Sequence, residues 1–153
     1  MPQSLANVLL HLVWSTKNRE PWITDEIRSR FHGYLIGVLD HLDCPSLETN
    51  SEPDHVHILI GLKPSMALSD LVREIKTGST NHINENRWVA GRFAWQEGFG
   101  AFSYSHSQLT DVIRYIQNQE EHHKHKGFQE EYREFLERYN VAYDERYLFQ
   151  PVE

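Results

Sequence analysis

Asp54-His55-Val56-His57-Ile58-Leu59-Ile60-Gly61 is the stretch on which the reading of this chain turns. Successive side chains of a strand leave on opposite faces, so His55 and His57 share one face. Val56, Ile58 and Ile60 share the other, and Leu62 extends it. Such a strand has an apolar face for a core and a second face that directs a pair of imidazoles at one region. Glu52-Pro53-Asp54 supplies a tight turn before it, and Lys63-Pro64 closes it.

Outward from this strand, the pattern alternates between strands and amphipathic helices. Asn7–Thr16 reads as a strand with Leu10, Val13 and Trp14 among its large apolar residues. After the Glu20-Pro21-Trp22 turn, Thr24 is placed to cap a helix whose first turn holds Asp25 and Glu26. Ile27, Phe31, Tyr34, Leu35, Val38 and Leu42 give it the three-and-four spacing of a buried stripe. Gly33 and Gly37 inside it point to close packing against another backbone. Ser46–Ser51 suggests a strand, and Leu68, Leu71, Val72 and Ile75 mark a further helix, followed by a polar, turn-rich stretch at Asn84–Gly91. Short aromatic segments occupy Arg92–Ser105. A helix is predicted from an N-cap at Ser107 to about Lys126, and a mixed-charge helix over Phe128–Tyr139, before an irregular tail.

Strand, helix, strand, strand, helix, strand is the order of a ferredoxin-like split βαβ unit, an α+β fold with a small antiparallel sheet. Its helices are expected on one face, with the imidazole face open for a site and a C-terminal helix carrying chemistry beside it. A chain of 153 residues suits a single domain over 1–153, with its core at about 7–126 and a C-terminal helix and tail at 127–153.

Composition narrows the class. Hydrophobic residues make up 39% and charged residues 24%, as in soluble globular proteins. No apolar run is long enough for a membrane span, and the start of the chain has no secretory pattern. The single Cys44 leaves no internal disulfide and no CxxC site. The expectation is a cytoplasmic protein. Its formal charge of -7 creates no broad attraction for nucleic acid, though Glu130, Glu131, Glu134 and Glu137 concentrate acid near the C-terminus.

On the third helix, Leu109, Val112, Ile113 and Ile116 recur at the spacing of a buried stripe. Tyr115 falls on the flank of that stripe and Gln119 one turn further on the same row, with Asp111 and His122 extending it. Taken from this helix alone, Tyr115 reads first as an aromatic resting its ring on the edge of the core.

The combination of His55-Val56-His57 with Tyr115-Ile116-Gln117-Asn118-Gln119 resembles the single-tyrosine HUH transposases of IS200-like insertion sequences. Their relatives associated with repetitive extragenic palindromes look similar. The likeness extends through Leu68–Lys76, Phe93–Phe102, Arg114–His123 and Tyr143–Leu148. It implies that His55, His57 and Gln119 hold a divalent ion, Mg²⁺ or Mn²⁺, and that Tyr115 is the nucleophile. It further implies attack on hairpin-bearing single-stranded DNA, a 5′-phosphotyrosine with a free 3′-hydroxyl, and a homodimer with a hinge near Gly100. Neutral nitrogen and amide donors leave such an ion its charge and open positions for phosphate oxygens.

Around that set, Asp54 is a candidate for orienting a histidine and His122 for relaying the tyrosine proton. Lys17, Arg19, Arg73, Lys76 and Arg114 are candidate phosphate contacts, and Trp88 is a candidate for base stacking. His122, His123 and His125 otherwise read as an exposed helix end. Two other functions remain open: a metal-dependent phosphodiesterase that uses water, and a non-catalytic module that binds hairpin DNA.

Overall fold

The computed structural model describes residues 5–123 and 126–143, apart from the side chain of His122. Four strands form one antiparallel sheet: β1 (Leu9–Ser15), β2 (Ser46–Glu52), β3 (His55–Gly61) and β4 (Gly100–Tyr104). Their order is β2-β3-β1-β4. Helix α1 (Asp25–His41) links β1 to β2, and α2 (Leu68–Glu85) links β3 to β4. The α1 crossover leaves a gap one strand wide, which β3 fills by pairing with both β1 and β2. This is the split βαβ arrangement expected from the pattern, and it puts the His-Val-His strand at the sheet centre.

Leu12 pairs with Ile58, and Val13 with His57. The register therefore aligns the alternation of both strands. Leu10, Leu12 and Trp14 join Val56, Ile58 and Ile60 on one face, where Phe31, Leu35 and Leu39 of α1 and Leu71, Val72 and Ile75 of α2 cover them. Removal of these side chains from water, at about 25 cal/mol per Å² of apolar surface, is the main stabilising term of this half. Gly33 and Gly37 do not approach a neighbouring backbone as expected; both face open space. Helix α2 runs on to Glu85, through the first part of the stretch expected to be turn-rich.

The second face is covered too, not open as the pattern suggested. After β4, Ser105 starts a short 3-10 turn at His106–Gln108, its N–H donating to Gln108 Oε1 at 2.9 Å. The start thus lies at Ser105 and not at Ser107, because the turn precedes the helix proper. Helix α3 (Leu109–Gln117) follows, then a break at Asn118, α4 (Gln119–His123) and α5 (Phe128–Arg138). Val112 and Ile116 of α3 pack on Leu59. Phe128, Tyr132, Phe135 and Leu136 of α5 pack on Val13 and Phe102. The apolar stripe of α5, hidden among charges in the sequence, needs a surface, and Val13 and Phe102 provide one.

The expected continuous helix to Lys126 is interrupted for a specific reason. Asn50 of β2 donates its amide to the carbonyls of Ile116 (2.7 Å) and Gln117 (3.3 Å), while Arg28 holds the Asn50 oxygen. End carbonyls of α3 are thereby satisfied by a side chain, and the chain restarts as a new turn.

Gly100 is required by this packing. A Cβ there would lie 2.6 Å from a ring carbon of Tyr132 on α5. Gly100→Ala is expected to cost about 1–3 kcal/mol in urea unfolding, because the ring must move from a filled site. A pH dependence also follows from His32, which hydrogen-bonds Ser51 Oγ at 2.7 Å. Burial, aided by the nearby Arg28 charge, lowers its pKa from 6.5 to about 4. The unfolded chain therefore takes up this proton first, and the stability present above pH 6.5 is lost as pH falls toward 4. Thermal melts are expected to drop by a few degrees across that window, and by less in His32→Asn.

Candidate metal centre and nucleophile

Strand alternation delivers His55 and His57 to the second face, where they are 1% and 0% exposed. Each has its Nδ1 held. His55 Nδ1 lies 2.7 Å from Asp54 Oδ1, and His57 Nδ1 lies 2.7 Å from Nε2 of His11 on β1. The His11 and His57 rings stack at 5.0 Å. Both Nε2 atoms then face Glu131 of α5 and His123 of α4. His57 Nε2 is 3.0 Å from Glu131 Oε1, and His55 Nε2 is 3.0 Å from His123 Nε2.

Glu131 ties this pair to the tyrosine. Its Oε2 accepts a hydrogen bond from the Tyr115 hydroxyl and lies 3.2 Å from His123 Nε2. Gln119, fully buried, places Oε1 3.0 Å from His123 Nε2. The ring of Phe128 lies against His55 at 4.6 Å. Tyr115, His55, His57 and Gln119, named from the sequence, thus converge on one site, and Asp54 contacts His55 at its edge.

The charges follow from burial and these contacts. Burial lowers the His57 pKa to about 4, more than the Glu131 charge raises it, so the ring is neutral at pH 7. Burial opposes the Glu131 charge, but the adjoining His123 and His57 outweigh it and hold the carboxyl well below the usual range. Burial first, and then the Glu131 charge, push the Tyr115 phenol well above its ordinary value. The nucleophile candidate is held protonated. Burial disfavours charge on His123, yet Glu131 more than compensates and raises its pKa.

The donor set fits a divalent cation. His55, His57, His123 and Glu131 each offer one ligand atom, all within 4.8 Å of one another. His57 Nε2 is buried and completes no hydrogen bond among the described residues. A histidine whose far nitrogen is held by a carboxylate or another imidazole is oriented as metal-binding histidines are. Imidazoles with one carboxylate suit Mn²⁺ better than Mg²⁺, which prefers oxygen.

Three participants were not read from the sequence. His11 stands on the same side of β1 as Val13 and Ser15, and its diagonal approach to His57 needed the strand register. His123 was expected on an exposed helix end, but the break at Asn118 turns it inward, with its side chain 12% exposed. Its place four residues after Gln119 was the available signal. Glu131 passed for one charge of a surface helix, although it stands between Phe128 and Tyr132 on the apolar stripe. The proposed relay residue His122 has its side chain outside the described residues, as do Lys124 and His125.

The candidate DNA contacts divide between the two faces. Arg19 lines a cavity with Asp54 and Phe128, on the histidine side. Arg114 is exposed on α3, 3.8 Å from Asp111, and Lys17 is exposed after β1. Arg73, paired with Asp70 at 3.1 Å, and Lys76 lie on α2, across the sheet. Lys76 is committed to the chain itself, donating to the carbonyls of Gln96 (2.8 Å) and Gly98 (2.6 Å). Trp88 is no free platform: it packs against the core beside α2, with the Arg30 guanidinium 4.8 Å from its ring centre.

Residues 4–119 match the family described as IS200-like transposases. The curated ISDra2 transposase TnpA of Deinococcus radiodurans is 23% identical over 116 residues, covering 71% of this chain and 81% of that protein. A crystal structure of a transposase from Deinococcus radiodurans R1 superposes with TM-score 0.59 at 23% identity, over 78% of this chain and 98% of that one. The structure of a REP-associated tyrosine transposase bound to a REP hairpin gives TM-score 0.61 at 16% identity, over 80% and 72%. At such identities the structural likeness concerns the fold. His123 and Glu131 lie beyond the family match.

Calorimetric titration with Mn²⁺ is expected to show one tight site. Loss of a ligand or of its supporting contact typically costs about 10–100-fold in affinity, so His57→Ala, Glu131→Gln and Asp54→Ala should each weaken binding by that order.

Proposed function

The chain belongs to the IS200-like transposases, and on that footing we propose that it cleaves and rejoins hairpin-bearing single-stranded DNA with Tyr115 as nucleophile. The observation that carries this reading is the shared carboxylate: Glu131 accepts the Tyr115 hydroxyl and lies 3.0 Å from His57, so phenol and imidazole pair face one reaction space. A hairpin-bound relative of the same fold supports DNA as the partner.

In the proposed step, Tyr115 Oη forms a bond to phosphorus and the bond from phosphorus to the 3′-oxygen breaks. The products are a 5′-phosphotyrosine and a 3′-hydroxyl. Glu131, already hydrogen-bonded to the phenol, orients its oxygen, the phenol proton leaves to solvent, and the departing 3′-oxygen takes one from solvent. His55, His57, His123 and Glu131 would hold the divalent ion, with the Gln119 amide oxygen beside His123 as a further oxygen donor. When bound, that ion would supply Lewis-acid polarisation of the phosphate and lower the cost of ionising the phenol. Asp54 and His11 keep the imidazoles in the orientation that holding it requires. The phosphotyrosine conserves the phosphoester bond, so a second 3′-hydroxyl can reverse the step and join a new end. Attack by water would forfeit that option.

The homodimer implied by the resemblance belongs to this reading. Within one chain, Tyr115 stands 6.1 Å from His57, ring centre to ring centre. Among the described residues no helix is long and apolar enough to cross a membrane.

The one feature that favours a water-using phosphodiesterase is the burial of Tyr115 beside a carboxylate, which resists ionisation. The two readings separate cleanly. Protein incubated with Mn²⁺ and a hairpin oligonucleotide from palindromic DNA flanking its gene is expected to give a covalent adduct that survives denaturing electrophoresis. Tyr115→Phe should abolish both adduct and cleavage. Cleavage that persists in Tyr115→Phe would identify a hydrolase, and binding without cleavage a non-catalytic module.

A further inference from the structure

We propose that the cleft beside Tyr115 is a stacking site for the nucleobase adjoining the cleaved phosphate, which would hold that phosphate in line with the Tyr115 hydroxyl. The inference rests on Tyr115 being the nucleophile and adds a substrate subsite to that reading.

The cleft has a volume of 320 Å³, and its walls include the rings of Tyr104, Tyr115, Phe135 and Tyr139. That volume lies near the lower end of small-molecule sites, which run from about 300 to 1,000 Å³, and suits a single base. Neighbouring rings meet almost at right angles: Tyr115 and Phe135 at 89°, Tyr104 and Tyr139 at 75°. A planar base lying flat on one wall meets the next edge-on, and both are arrangements that aromatic rings favour. The three tyrosines are all partly accessible. Stacking of this kind tolerates any base and is the usual way proteins hold unpaired nucleotides.

Of the polar groups at the cleft, Arg138 and Gln108 suit a nucleotide, while the Asp111 carboxylate stands 3.8 Å from the Arg114 guanidinium. Arg138 is exposed at its edge and makes no ion pair among the described residues, which leaves the guanidinium for a phosphate. Gln108 also lines the cleft; its oxygen is taken by the Ser105 N–H at 2.9 Å, so its amide N–H groups remain donors.

Position supplies the remaining argument. Tyr115, Phe135 and Arg138 also line a smaller cavity of 110 Å³ that includes Glu131. The two spaces adjoin along Tyr115. A strand whose phosphate reaches the Tyr115 hydroxyl therefore has a flanking base within reach of the cleft, and Arg138 stands at both spaces to meet the connecting backbone.

The test uses the full chain and the hairpin oligonucleotide that forms the Tyr115 adduct. Abasic sites are placed in turn at the positions flanking the cleaved phosphate. One position is expected to slow adduct formation about tenfold, the effect of losing a stacked base. Tyr139→Leu, which removes a ring but keeps an apolar side chain, should slow intact DNA similarly and add nothing on the abasic DNA. 2-Aminopurine at that position should be quenched on binding to Tyr115→Phe protein, and Tyr139→Leu in that background should relieve the quenching. Should Tyr139→Leu unfold, the exposed Arg138→Gln takes its place, with slower adduct formation expected. The proposal falls if every flanking abasic site is tolerated, or if the ring and base losses multiply independently. Adduct without base dependence overturns the cleft alone; absence of adduct with all DNA removes the Tyr115 reading and the cleft with it.

Discussion

Glu131 is a carboxylate at 2% exposure, and the second half of this structure is arranged around it. An isolated buried charge is expensive to desolvate, so the fold must supply partners for it. It does so from three directions: His57 of β3, His123 of α4 and the Tyr115 hydroxyl of α3. Those partners come from segments far apart in the chain. Holding them in contact requires α5 to lie across the sheet with Phe128 on one side of Glu131 and Tyr132 on the other. The apolar stripe of α5 and its buried acid are therefore one constraint seen from two sides.

The sheet gives that constraint its rigidity. β3 is paired along both edges, so neither His55 nor His57 is free to swing with a fraying strand. Asp54 and His11 then fix the ring orientations, and Asn50 fixes where α3 ends. Each of these contacts is modest alone, at about 0.5–3 kcal/mol for a hydrogen bond. Their effect is geometric: together they decide which nitrogen of each ring faces the site. The two faces of the sheet thus divide the work, one burying apolar surface against α1 and α2 and the other spending part of its area on a polar network.

A net charge of -7 also shapes the chemistry available to this fold. A broad electrostatic attraction for DNA is absent, and several candidate cations lie across the sheet from the imidazoles or bind the chain itself. Under the proposed function, recognition of DNA near Tyr115 would depend on local features such as ring faces, single guanidinium groups and an ion held by the imidazoles. The family match ends at residue 119, whereas His123 and Glu131 come from the segment after it. The C-terminal segment is accordingly part of the site and not an appendage to it.

Much of this could be read from the chain itself. Alternation in Asp54–Gly61 assigned His55 and His57 to one face, and the order of elements assigned the split βαβ sheet, because both signals are local and periodic. Tyr115 and Gln119 were legible as one row of a helix for the same reason. What periodicity could not show was contact between elements. His11 met His57 only through the register of β1 on β3, His123 faces inward after the break at Asn118, where Asn50 binds the end carbonyls of α3, and Glu131 found its partners only when α5 docked. Local sequence determines which way a side chain faces along its own strand or helix. Which groups then share a buried space is set by packing between distant segments, and that only the tertiary structure decided.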